Sequence, residues 1–224
     1  MKIFHGSENR IEKPEYGKGK PYNDYGLGFY CTEDIVMAKE WSCGEDHDGF
    51  ANEYTLDITG LKVLNLNAPE YTILHWLAVL LKNRTFRLTN PIAKDAKEYL
   101  LEHFPVNTED YDVIIGYRAD DSYFSFAEDF LNNAISVRKL EKAMRLGNLG
   151  EQVVLVSRAA FDALKYVGAE EADRSKYYVL KMKRDKAARA EYLGSDRKPS
   201  YGLDELYMLD IMRQGVKADD PRLR

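Results

Sequence analysis

Cysteine is scarce in this sequence: two occur in 224 residues, Cys31 and Cys43, too few for a disulfide framework and suited to a reducing compartment. No run of eighteen uncharged apolar residues is present, and the opening MKIFHGSENR lacks the apolar stretch of a signal sequence. The expectation is a soluble, cytoplasmic protein with no membrane partner. Basic excess is missing too. The formal charge is −5 with 31% charged residues, without the basic stripe that tracks a phosphate backbone, which disfavours nucleic acid as a partner. No fixed-period repeat occurs, so a solenoid is not expected. The Gly-x-x-x-x-Gly-Lys, Gly-x-Ser-x-Gly and His-Glu-x-x-His motifs are absent, which leaves phosphoryl transfer, serine-esterase and zinc-protease chemistry without an anchor. Cys43, Asp46, His47 and Asp48 in CGEDHD match no closed zinc spacing, and no metal is expected.

What is present is a chain with 45% apolar residues and sixteen tyrosines, enough for one sizeable core and for aromatic walls around a cleft. KIFH, residues 2–5, reads as a first strand ending at Gly6-Ser7. Turn formers Pro14, Gly17, Gly19, Pro21 and Asn23-Asp24 mark a long loop over a surface cleft. GLGFYCT is a strand with Phe29 and Tyr30 on opposite faces, followed by a helix over 33–42 capped by Thr32, with Glu33 and Asp34 in its first turn. EYTLDI and LKVLNL around Thr59-Gly60 predict a hairpin. YTILHWLAVLLKNR and NPIAKDAKEYLLEHF predict helices, the second with Asn90 as cap and Pro91 in its first turn. YDVIIGY and EQVVLVS read as strands, SYFSFAEDFLNNAI and the Ser136-capped SVRKLEKAMRLG as helices, and SRAAFDALKYVG as a further helix ending at Gly168. Texture then turns charge-dense. The expected division is a main domain over 1–169 and a C-terminal extension over 170–224 with one strand and an amphipathic helix, and the expected class is α+β.

Three pieces carry the functional expectation: FHGS around His5, GLGFYCTED around Tyr30, and LGEQVVL with Glu151 and Gln152. Together they resemble the three-part signature of the ADP-ribosyltransferase superfamily, over about residues 2–168, and most closely a group of bacterial proteins of unknown function that share HGS, GFYCTED, DDSYF and a late Gln. The resemblance implies a split antiparallel β-sheet core around an NAD cleft. It implies that His5 and Gly6, with the adjacent Ser7, hold NAD, that Gly28 lets the dinucleotide lie against the backbone, and that Tyr30 packs on nicotinamide. Trp41 stands eleven residues beyond Tyr30, where one branch of the superfamily has a second aromatic. Two such rings would clasp a flat cationic heterocycle, each contributing on the order of 1 kcal/mol.

A glutamate usually orients the ribose at the third position. Here Glu151 and Gln152 both stand there, with side chains on opposite faces of a strand; register favours Gln152, which cannot act as a general base. Asp120 and Asp121 in RADDSYF either cap the next helix or supply a carboxylate to the cleft. The implied activity is mono-ADP-ribosyl transfer from NAD to a macromolecular acceptor, protein favoured over nucleic acid, in the manner of a toxin held by an antitoxin. The alternatives are NAD hydrolysis and an inactive NAD or ADP-ribose binding module.

Overall fold

The computed structural model describes residues 1–88, 90–119, 121–148, 150–194 and 205–223, with the backbone alone at 121, 122 and 148. Apolar residues at alternate positions build two sheets. The first is antiparallel, in the order β1 (Lys2–Ser7), β3 (Gly49–Leu56), β7 (Leu164–Ala172). The second runs β2 (Phe29–Cys31), β6 (Glu151–Leu155), β5 (Val113–Tyr117), β4 (Val63–Asn65), with β4 and β5 parallel. The fold is therefore α+β, with one antiparallel and one mixed sheet.

Period-2 geometry makes the second sheet the middle layer. Val113, Val153, Leu155, Cys31 and Phe29 pack against Ile3, Tyr54 and Leu56 of the first sheet. Leu64, Ile114 and Val154 face a larger cluster built by helices. Among these, α2 (Ile73–Asn83) is buried almost all round, as an apolar helix without a polar face must be. Next to it lies α3 (Pro91–His103), which starts as expected: the Asn90 side chain accepts from the Ile92 amide and Pro91 occupies the first turn. These two helices form the crossover that a parallel β4–β5 pair requires. Behind them α4 (Asp121–Leu131) and α5 (Val137–Met144), the latter capped by Ser136, complete the cluster.

Four local expectations are corrected. In α1 (Ile35–Ser42) the cap is Asp34, whose Oδ1 accepts from the Val36 amide at 2.7 Å; Thr32 is instead tied by backbone bonds to Phe4. The turn around Gly60 does not close a hairpin. Both edges of β3 are already taken by β1 and β7, so the chain crosses to the second sheet and pairs Val63 with Val113. The helix expected over 157–168 is only α6 (Arg158–Asp162), and Leu164–Ala172 continues as β7 against β3. The strand-like run after 176 lies in the helix α7 (Arg174–Gly194), where Lys, Arg, Ala and Met favour helix.

The last third of the chain folds back on the rest. Arg184 of α7 grips the buried Glu40 of α1 through two bonds of 3.0 and 2.8 Å and donates to the Gly147 carbonyl at 2.6 Å. Ala188, Tyr192, Leu206, Met208 and Ile211 join the same apolar cluster as α2 to α5, the last two from α8 (Met208–Gln214). The boundary expected at 169 falls within β7.

Candidate functional site

The two sheets touch through one backbone exchange, Phe4 N to Thr32 O at 2.7 Å and Thr32 N to Phe4 O at 2.9 Å. This sets His5 of β1 beside Tyr30 of β2, with His5 Nδ1 2.7 Å from the Tyr30 carbonyl. A carbonyl only accepts, so Nδ1 carries the proton. Burial pushes the imidazole pKa down, against the smaller opposing effect of that hydrogen bond. The ring is thus neutral near pH 7, with Nε2 left as an acceptor. Phe29 stacks on its face at 4.2 Å, and the buried Asn52 side chain donates to the His5 carbonyl at 3.3 Å and accepts from Ile11 N at 2.8 Å.

The glycines serve the fold first. A Cβ at Gly6 would run into the Ala38 carbonyl oxygen of α1, and one at Gly28 would lie 2.6 Å from Val154 Cγ1 of β6. Close packing of chain on chain requires a glycine at both positions. Gly26 has a φ of 76° and closes a turn in which its amide donates to the Asn23 carbonyl at 3.0 Å. Into that turn the Tyr30 hydroxyl donates to Gly26 O at 2.6 Å and accepts from Tyr25 N at 3.0 Å. The Tyr30 phenol is raised above its ordinary pKa, chiefly by burial. It acts as a neutral, fixed wall.

That turn presents Asp24, which in the sequence is legible only as a turn former. The residue is 5% exposed; its Oδ2 accepts from Ala119 N at 2.9 Å and lies 3.4 Å from Gln152 Nε2, and its Oδ1 lies 3.6 Å from Arg84 Nε. Gln152, also 5% exposed, keeps Oε1 buried with no hydrogen-bond partner among the described residues. Glu151 points the other way, is exposed, and accepts from Asn67 Nδ2 at 2.7 Å. The choice left open along β6 is therefore made: Gln152 faces inward.

These groups line a cavity of about 630 Å³ that takes in His5, Gly6, Gly28, Tyr30, Trp41 and Gln152, six of the residues nominated from sequence. Ser7 is not among them and turns its hydroxyl to the Asn9 backbone. Asp120 lies outside the described residues; Asp121 begins α4. Trp41 lines the cavity, and one face of its ring carries the Arg118 guanidinium at 3.6 Å. Cys43 is buried and donates to the Ala172 carbonyl at 3.2 Å.

The long loop does lie over this cleft, lining it with Lys13, Glu15 and Lys18. Arg84 and Arg118 add two more cations. None of these basic groups is a candidate from sequence, because isolated Lys and Arg carry no motif, and Asp24 shows there only as a turn former.

The family described as "Protein of unknown function (DUF3990)" matches residues 1–166. The chain belongs to this family. The DUF3990 match spans every cavity-lining residue, from His5 to Gln152, and ends inside β7. No curated protein and no solved structure matches the chain.

Proposed function

We propose that this DUF3990 protein is a mono-ADP-ribosyltransferase that takes NAD into the cavity between the two sheets. The observation that carries the proposal is the buried Gln152 Oε1, without a partner among the described residues, on a residue that lines a cavity together with His5. Buried acceptors without donors are rare and cost about 1–3 kcal/mol each. Gln152 Oε1 is such an acceptor, and with His5 lining the same cavity it suits a ligand rich in hydroxyl donors, while Lys13, Lys18, Arg84 and Arg118 around that space suit one that is also anionic. A ribose joined to a pyrophosphate meets both demands. The volume falls within the usual range for small-molecule sites, about 300–1,000 Å³.

In that chemistry the bond from ribose C1′ to the pyridinium nitrogen breaks with its electron pair leaving on nicotinamide, and the acceptor's lone pair forms the new bond at C1′ as its proton is lost. The chain's own contributions are to hold and to exclude. His5 Nε2 and Gln152 Oε1 accept from ribose hydroxyls, Tyr30 is an aromatic wall, and the loop over 8–25 screens the site from water.

The test is nicotinamide release from NAD by the purified chain with and without lysate, beside Gln152→Ala. Lysate-dependent release that disappears in a folded Gln152→Ala chain supports transfer, and free ADP-ribose in buffer alone points to hydrolysis. Full release from folded Gln152→Ala and Tyr30→Ala chains defeats the assignment. An inactive binding module is favoured by one observation, that Gln152 cannot take a proton; it is separated by NAD binding without any release.

A further inference from the structure

We propose that Asp24 and Gln152 act as one unit, in which Asp24 supplies the buried negative charge of the site and sets the direction of the Gln152 amide, so that the cavity meets a hydroxyl-bearing, electron-poor ligand through the Gln152 carbonyl. This rests on the ribosyl-transfer proposal for its ligand, and on geometry alone for the pair.

An ionised carboxylate can only accept hydrogen bonds. With Asp24 Oδ2 lying 3.4 Å from the end of the Gln152 side chain, the NH2 must turn toward it and Oε1 must turn away. That leaves the carbonyl buried in the cavity wall without a donor among the described residues. Asp24 is itself held from several sides: the Ala119 amide at 2.9 Å, Arg84 Nε at 3.6 Å, and Asn83 Nδ2, which donates to the Asp24 backbone carbonyl at 3.3 Å. Its turn is locked by the Tyr30 hydroxyl. Asp24 is thus a positioning residue with little freedom to move.

The arrangement also explains why an amide stands at 152. A transition state with positive charge building on a ribose needs negative charge nearby. Among the described residues the carboxylates that line the cavity are Glu15 and Asp24. Glu15 is 64% exposed on its side chain and bridged to Lys18 at 2.8 Å; Asp24 is 6% exposed on its side chain. A glutamate at 152 would set a second carboxylate against Asp24, and two in contact resist ionising together. Among the described residues, the charged and titratable groups that act on the pair or line the cavity wall beside it include Arg84, Arg118, His5, Tyr25 and Tyr30, while Glu151 points outward.

The experiment is a double-mutant cycle of wild type, Gln152→Glu, Asp24→Asn and the double variant, with Asp24→Ser replacing Asp24→Asn where the latter does not fold. Thermal midpoints at pH 5 and pH 8 without ligand read the pair directly. The carboxyl introduced by Gln152→Glu carries a raised folded pKa, so its destabilisation is small at pH 5 and grows as pH rises; this extra pH dependence should vanish when Asp24 is neutral. Calorimetric binding of NAD and of ADP-ribose at pH 8 reads the ligand. Each single variant should weaken binding about tenfold, and the double should return to within about threefold of wild type. Additive effects in both readouts overturn the proposal, as does a Gln152→Glu chain whose midpoint shifts with pH no more than wild type's. A wild-type chain that binds neither NAD nor ADP-ribose defeats the ribosyl-transfer proposal, while the thermal cycle still decides the pair.

Discussion

On one side of the cavity Asp24 and Gln152 are buried and Tyr30 is partly buried, and hydrogen bonds join Gln152 to Asp24, Asp24 to the Ala119 amide and Tyr30 to the Gly26 turn. On the other, Lys18 and Glu15 ride a loop with side chains 72% and 64% in solvent, bonded mainly to each other. The loop is pinned near its ends, at Ile11 by Asn52 and Tyr54 and at Tyr25 by Tyr117, and carries few bonds between. A surface whose polar groups are preset suits orienting a reacting sugar, since nothing need reorganise. A strap with exposed charges and few backbone bonds opens cheaply and suits entry and closure.

The contrast is broken first at its most crowded point. Gly6→Ala drives a methyl into the α1 backbone and should cost about 1–3 kcal/mol or more, read as a clear fall in thermal midpoint. An unchanged midpoint with lost ligand binding would mean that Gly6 serves the ligand and not the packing. Next, Tyr30→Phe removes the hydroxyl that closes the Asp24 turn, at about 1–3 kcal/mol, and ligand affinity should fall with it although the ring stays. If affinity holds, the turn does not need its lock.

His5 gives a smaller, pH-dependent effect. Its folded pKa lies below the ordinary 6.5, so between those values the unfolded chain binds more protons and stability rises with pH. The stabilisation is present above about pH 6.5 and is lost as pH falls toward the folded value. His5→Gln should flatten the midpoint-against-pH curve over that window; an unchanged slope would show the imidazole to be solvated. Least affected should be Lys13→Ala combined with Lys18→Ala. Stability should stay within about 0.5 kcal/mol, while binding of an anionic ligand weakens and loses part of its salt dependence. A large loss of stability would make the strap part of the core.

Parts of this site are legible because they sit in short local patterns. His5-Gly6, Phe29-Tyr30 and the acidic-or-amide choice at 151–152 lie on strands whose alternation can be read directly, and Asn90-Pro91 and Ser136 announce their helices as caps. The hairpin expected at Thr59-Gly60 does not form for a reason outside the local pattern: strand pairing depends on which edges remain free, and β3 has none. Leu164 to Ala172 reads as helix in part because short apolar runs support either period; pairing with β3 decides it. Asp24 escapes a sequence reading because an aspartate in a turn looks the same whether it faces solvent or a buried amide.

By itself the sequence determined an α+β chain, the helices around Trp76 and Leu100, and three strand segments bearing His5, Tyr30 and Gln152. Local propensity and period suffice for these, since each depends on residues close in the chain. Only the tertiary structure decided that Gln152 and not Glu151 looks inward, that Arg118 lies over one face of Trp41, and that Asp24 meets Gln152 across 128 residues of sequence. Such pairings are set by which surfaces can be buried together at once, a global packing condition that no local stretch contains.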